Sequence, residues 1–217
     1  MFHVKQQSKE MITADRDIVL KQLHLPKQVV ESLDRYVELL EQEQSKLNLI
    51  GKSTLPIVWT RHVLDSAQLF KNLLPADKTV LDLGSGAGFP ALVLAIMDLE
   101  HKYDFHLVES DGKKCAFLNK IIDACNLNAE VHNERIEQME MFGADVITAR
   151  ALAPLDQLIK YAYPFLKTKT RCLFMKGAKV DEELEPAFKK YRFHVEKIQS
   201  VTSEEGTILL LSEVKKK

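Results

Sequence analysis

Three glycines at alternate positions, Gly84, Gly86 and Gly88, fall within the run Leu81-Asp82-Leu83-Gly84-Ser85-Gly86-Ala87-Gly88-Phe89-Pro90. An acidic residue, Glu109, stands just past the next apolar run. Glycines between a strand and a helix let the chain turn tightly and bring backbone close to a ligand at the carboxyl edge of a sheet. The spacing is G-x-G-x-G rather than the dinucleotide fingerprint G-x-G-x-x-G, and no Gly-Lys-Ser/Thr follows, so a phosphate cradle is disfavoured. Asp82 points the same way. A carboxylate two residues before the first glycine would repel a pyrophosphate but suit a ligand bearing ammonium and sulfonium charges. Glu109 is placed to accept two hydrogen bonds from a ribose diol. S-adenosylmethionine (SAM) carries all of these groups and is the expected cofactor, ahead of NAD.

The acceptor is narrowed by what the remaining residues do not offer. Enzymes that methylate an exocyclic base amine often carry Asn/Asp-Pro-Pro-Tyr/Phe after the fourth strand, whereas Thr148-Ala149-Arg150-Ala151-Leu152-Ala153-Pro154 occupies that place. Methylation at carbon 5 of cytosine needs a thiolate nucleophile, and none of Cys115, Cys125 and Cys172 sits at such a strand end. Those cysteines form no CxxC pair and no cluster of metal-ligand spacing, so reduced, mostly buried thiols and no metal are expected. An acceptor atom with a free lone pair, such as guanine N7, fits a site without a nucleophile-base pair, because positioning and electrostatics then suffice. A small-molecule acceptor fits equally on these grounds, as does a SAM- or nucleotide-binding regulator without catalysis.

Two sets of elements must hold these residues. From Thr13 to about Leu74 the chain reads as helical, with Pro26 expected at a first helical position and Val29, Val30, Leu33, Val37 and Leu40 recurring at three- and four-residue steps. A turn is expected around Gly51 and Pro56, then a further helix over 57–74. From Thr79 short apolar runs alternate with helical stretches. Strands are predicted over 79–83, 105–108, 129–132, 145–149, 171–175, 193–198 and 207–211, with helices over 90–97, 113–125, 155–166 and 181–191. Alternating strand-helix units give a mainly parallel sheet covered on both faces. The expected architecture is therefore α/β: a helical extension, residues 1–75, packed as one unit with a Rossmann-like domain, residues 76–217. Met139 and Met141 are expected in its core.

Four further segments occur in order: Arg61-His62-Val63-Leu64-Asp65-Ser66 before the glycine turn, Leu81 to Pro90 within it, Ala149-Arg150-Ala151 after strand four, and Lys176-Gly177 after strand five. In their joint occurrence the chain resembles the RsmG/GidB family of bacterial 16S rRNA (guanine-N7) methyltransferases, over nearly its whole length. The resemblance implies a class I SAM-dependent methyltransferase sheet and methyl transfer from SAM to N7 of a guanosine in the 530 loop of 16S rRNA, leaving S-adenosylhomocysteine. Carried over by motif position, it implies cofactor contacts at Gly84, Phe89, Glu109, Ile136, Glu137 and Arg150. It places Arg61, His62, Arg150 and Lys176 where they would orient the acceptor base or its phosphates, although Arg61 and Asp65, four apart, also suit a local helical ion pair. Ala91 stands where the family pattern has a further glycine, and Leu47-Asn48-Leu49-Ile50 has leucine where it often has tyrosine.

Gross composition sets the bounds. The 217 residues, 46% hydrophobic and 28% charged, can bury a full core. A net charge of −1 does not advertise a polyanionic partner. Met1-Phe2-His3-Val4-Lys5-Gln6-Gln7 has no apolar core of signal-peptide length, and the longest apolar stretch, Ala91 to Met97, is too short to cross a bilayer. A cytoplasmic monomer without a membrane partner is expected, acting on 16S rRNA, the small ribosomal subunit or its precursor.

Overall fold

The computed structural model describes residues 2–217, with side chains from residue 9 onward. The reading of Met1–Gln7 as lacking a leader core lies outside the described side chains. The amino-terminal part is helical but not continuous. Helix α1 (Phe2–Leu23) starts before Thr13 and stops ahead of Pro26, and α2 (Lys27–Leu47) follows. Pro26 is the N-cap of α2 rather than its first residue, since its ψ of 148° is extended. The apolar recurrence in α2 becomes one buried face, with Val29, Leu33, Tyr36, Val37 and Leu40 all covered. Asn48 ends the helix in the left-handed conformation, its N–H bonded to the Gln44 carbonyl.

The stretch expected as a regular helix over 57–74 is a chain of short turns with changing pitch. A 3-10 segment (Lys52–Ile57) leads into a π-helical turn (Trp59–Leu64), then one α-helical turn, α3 (Asp65–Ala67), and a last 3-10 turn (Phe70–Asn72). Apolar periodicity marks this segment as helical but carries no information on pitch. π-helical turns in proteins are frequent at functional sites.

Seven strands form one sheet: β1 (Thr79–Leu83), β2 (Asp104–Val108), β3 (Ala129–His132), β4 (Ala144–Arg150), β5 (Leu166–Lys176), β6 (Tyr191–Gln199) and β7 (Thr207–Lys216). Their order is β3-β2-β1-β4-β5-β7-β6. The first five run parallel, while β7 lies antiparallel between β5 and β6. Helices α4 (Ala91–Met97), α5 (Gly112–Cys125), α6 (Leu155–Ala162) and α7 (Val180–Lys190) supply the crossovers. Strand β5 begins at Leu166, ahead of the expected Arg171, because Leu166 pairs with Ala144 before a register shift.

Side-chain alternation along β1 shows how the sheet is covered. Val80 joins a core built with α1, α2, α4 and α5, whereas Leu81 and Leu83 join one built with α6 and α7. Strand order reverses between β1 and β4, and the crevice at their carboxyl ends is where an open α/β sheet takes its ligand. Met139 is buried as expected, but Met141 is 71% exposed, since it follows the turn that ends the Ile136–Gln138 segment. Among the described residues, no helix is long and apolar enough to cross a membrane.

Candidate active site

The glycine turn leaves β1 with Gly84, Gly86 and Gly88 at φ of +67°, +56° and +99°. Each is a backbone state that other residues rarely hold. Two of these glycines play different parts. A Cβ at Gly88 would lie 2.4 Å from Leu92 Cδ1 and 2.9 Å from Tyr36 Oη, so this glycine lets the turn press against α4 and α2. A Cβ at Gly86 would meet only the Gly84 carbonyl, at 3.9 Å, so the space above it belongs to the cavity. Tyr36 holds the turn from below. Its hydroxyl donates to the Ala87 carbonyl at 2.5 Å, and its ring stacks on Phe89 with centroids 5.1 Å apart. Burial pushes the Tyr36 pKa well up, so the hydroxyl keeps the proton it donates.

A cavity of about 850 Å³ opens above this turn. It is lined by Gly84, Phe89, Glu109, Ile136, Glu137 and Arg150, all the residues carried over as cofactor contacts, and by Gly86, Arg61, His62 and Lys176. Glu109 sits just past β2, its Oε2 accepting from the Gly86 N–H at 2.9 Å and its Oε1 from the Asp111 N–H at 2.9 Å. Each carboxylate oxygen retains a lone pair. The pair can therefore accept from a ribose diol while fixing the turn. Ile136 and Glu137 come from a 3-10 turn (Ile136–Gln138) after β3.

Asp82 lies beneath the turn and is absent from the cavity wall. Its Oδ1 accepts from Thr148 Oγ1 at 2.6 Å, while its Oδ2 is buried without a hydrogen-bond partner. Burial raises its pKa to about 6, so it is ionised at neutral pH with one oxygen uncompensated. Any attraction it exerts on a cationic ligand acts through space from below the loop.

The opposite wall is a connected set of side chains. Arg150, at the end of β4, lies with Nη1 2.8 Å from His62 Nδ1 and donates from Nη2 to the Arg61 carbonyl at 2.7 Å. Its Nη2 also lies 3.2 Å from Asp65 Oδ2. A guanidinium only donates, so His62 Nδ1 accepts and the ring proton sits on Nε2, which is 2.8 Å from Thr54 Oγ1. That hydroxyl donates onward to the Gly51 carbonyl at 2.7 Å. Burial, with Arg150 and Arg61 adding repulsion, lowers the His62 pKa to about 3 and keeps the ring neutral. Its ring also meets Phe89, centroids 4.9 Å apart. Immediately after Arg150, Ala151 holds φ of +51° on the cavity wall.

Two sequence-level readings change here, those of Asp65 and Lys176. Asp65 does not pair with Arg61 within the helix; it turns inward to Arg150, Gln68 and Thr202, because α3 points it into the molecule. Arg61 is exposed on the rim, and its side chain has no ion pair or hydrogen bond among the described residues. Lys176 lines the cavity but is engaged: its ammonium is 2.6 Å from Glu183 and donates to the Ala153 carbonyl at 3.0 Å. Sequence reasoning missed Tyr36 and the Ser200–Thr207 segment, both brought in from distant parts of the chain. The apolar face of α2 contained the one signal for Tyr36, a polar-tipped ring at a buried position.

The residues fit a nucleoside cofactor with a cationic centre: an open space over Gly86, paired acceptors on Glu109 and an orphaned carboxylate oxygen on Asp82. Comparison with known proteins agrees. A family model described as rRNA small subunit methyltransferase G (GidB) matches residues 29–210. A ribosomal RNA small subunit methyltransferase G from Paramagnetospirillum magneticum is 45% identical over 188 residues, covering 87% of this chain and 90% of that protein. One from a Methylobacterium species is 42% identical, covering 93% and 97%. Among solved structures, a SAM-dependent methyltransferase from Aquifex aeolicus superposes with a TM-score of 0.57 at 17% identity, covering 77% of this chain and 96% of that one. A ribosomal protein L11 methylase from Lactobacillus delbrueckii gives 0.55 at 15%, covering 68% and 76%. These structural likenesses bear on the fold alone.

Proposed function

Since the chain belongs to the rRNA small subunit methyltransferase G (GidB) family of SAM-dependent methyltransferases, we propose that this cavity delivers the methyl group of SAM to N7 of a guanosine in the 530 loop of 16S rRNA. The observation that carries the site assignment is the Glu109 carboxylate, hydrogen-bonded to the glycine turn and facing the same cavity. Gly84, Phe89, Glu109, Ile136 and Glu137 hold the cofactor, which supplies an electrophilic methyl group. Arg150, pinned by Asp65 and His62, forms the wall between cofactor and acceptor.

Guanine N7 attacks through a lone pair it already owns, so no base has to remove a proton beforehand. A neutral, buried His62 that donates to Thr54 is consistent with a positioning role rather than proton transfer. The guanosine must be unpaired or flipped, because A-form RNA hides N7 in a deep, narrow groove. Arg61 is a rim cation available for a phosphate, as are the exposed Arg135 and Lys179, whereas Lys176 braces Glu183 and the Ala153 carbonyl. We read 1–75 as a helical extension packed with 76–217 as one unit, a reading supported by the Tyr36 bond to Ala87. The protein acts as a cytoplasmic monomer.

Tritiated SAM offered with small subunits, deproteinised 16S rRNA and a panel of metabolites tests the reading. The expected result is label in rRNA, released by the strand cleavage that follows chemical reduction of 7-methylguanine. Label confined to the metabolite panel would overturn it.

A further inference from the structure

The outer edge of the sheet carries side chains that methyl transfer leaves unused. His106 lies on β2, and Glu130 and His132 lie two residues apart on β3, the edge strand. Residues two apart on a strand share a face, and the parallel register sets His106 opposite Glu130. The three side chains therefore converge on one side. His106 Nδ1 is 3.0 Å from His132 Nε2 and 3.8 Å from Glu130 Oε2, and one ligand atom from each residue lies within 4.8 Å of the others. The imidazoles meet edge to edge through these nitrogens, with centroids 5.2 Å apart, and Phe142 closes the site behind them, 4.8 Å from the His106 ring.

We propose that His106, Glu130 and His132 form a binding site for a divalent transition-metal ion of the zinc class. Tetrahedral zinc holds nitrogen and oxygen ligands at roughly 2.0–2.2 Å, which places neighbouring ligand atoms about 3.3 Å apart. The observed separations of 3.0 and 3.8 Å straddle that value and the third lies within 4.8 Å, so side-chain rotations that aim the two facing nitrogens at a common point close the site. Two imidazoles and one carboxylate suit zinc, cobalt, nickel or copper, whereas magnesium and calcium take oxygen ligands. Water completes the coordination.

Two neutral rings in this contact share one proton, borne by whichever nitrogen donates. On metal binding that proton passes through solvent to the other nitrogen of its own ring, both facing nitrogens become ligands, and no net proton is released. Glu130, with its side chain 68% exposed, gives the ion a way in. The site lies behind the cofactor edge, since the His132 carbonyl accepts the Glu109 N–H at 3.1 Å. A bound ion would brace β2 against β3 where the strand ends lead to Glu109 and Ile136. Sequence spacing does not reveal this set, because His106 and His132 are 26 positions apart and only strand register joins them.

The test is calorimetric titration of the full chain, stripped with a chelator, with zinc chloride, followed by cobalt absorption and thermal melting. One ion per chain, a raised melting temperature and cobalt bands of low-coordinate nitrogen and oxygen ligation are expected. His132→Ala and Glu130→Gln should each weaken binding about tenfold or more, while the Cys115→Ser/Cys125→Ser variant should bind as wild type does. Glu130→Gln is an exposed, near-isosteric change, so it carries the test if His132→Ala misfolds. No zinc-dependent heat, or wild-type affinity in Glu130→Gln and every folded ligand variant, would overturn the proposal.

Discussion

Arg150 faces the cavity with its charge already committed to Asp65, His62 and the Arg61 carbonyl. Arg150→Ala strands the Asp65 carboxylate inside the protein. We expect a loss of about 3 kcal/mol of stability from that variant, and a double-mutant cycle with Asp65→Asn should give a coupling of about 1–3 kcal/mol. Additive losses in urea unfolding would show that the pair does not act as one. His62 makes a pH-dependent prediction. Its folded pKa of about 3 lies below its ordinary value, so the unfolded chain takes up the proton first as pH falls, and the stabilisation present at neutral pH is lost downward from about pH 6.5. The stability of wild type relative to His62→Gln should therefore rise by about 2 kcal/mol between about pH 5 and pH 7. Asp82, shifted in the opposite sense, is common to both proteins and cancels in the comparison. A flat difference would show that His62 is not held neutral. For Glu109→Ala, calorimetry should record a SAM affinity about tenfold lower or worse, about 1.4 kcal/mol per tenfold; unchanged affinity would remove Glu109 from the site.

Helix α2 reaches the cofactor turn through a single hydroxyl, and that link gives the element-scale prediction. Tyr36→Phe keeps the stacking on Phe89 but leaves the Ala87 carbonyl without its partner, at a cost of about 1 kcal/mol. Because the loosened loop carries cofactor contacts, SAM affinity should fall several-fold, whereas a melting-temperature change with unaltered affinity would confine Tyr36 to the core. How much of this was legible varied with the kind of element. Strand β1 ran where an apolar run bounded by turn residues placed it, since a central strand reads as a short, continuous apolar run. The glycine turn and Glu109 were legible because strand ends and ligand edges coincide in this architecture. The pitch changes over 52–72 were not, as segments of one or two turns are too short for apolar recurrence to separate 3-10, α and π periods. Nor were the inward turn of Asp65, the engagement of Lys176 or the convergence of His106 with His132, each of which depends on which distant strand or helix lies alongside.

At the scale of the whole molecule, a net charge of −1 leaves RNA recognition to local features rather than to a general field. If Arg61 meets a phosphate, Arg61→Ala should weaken binding of a 16S rRNA fragment similarly across sequences and flatten the salt dependence by about one counterion. An unchanged slope in filter-binding titrations would remove Arg61 from the RNA contact. The sheet order carries a different kind of consequence. Strand β7 comes last of the seven strands in chain order, yet it sits inside the sheet, and among the described residues β6 pairs with no other strand. The segment leading into it, Ser200 to Thr207, lines the cavity and reaches Asp65 through Ser200 and Thr202. While those residues are still within the exit tunnel of a translating ribosome, neither the outer third of the sheet nor one wall of the pocket can form. The cavity is therefore completed only once this segment and β7 have cleared the tunnel, so the cofactor site closes after most of the sheet it rests on has already been made.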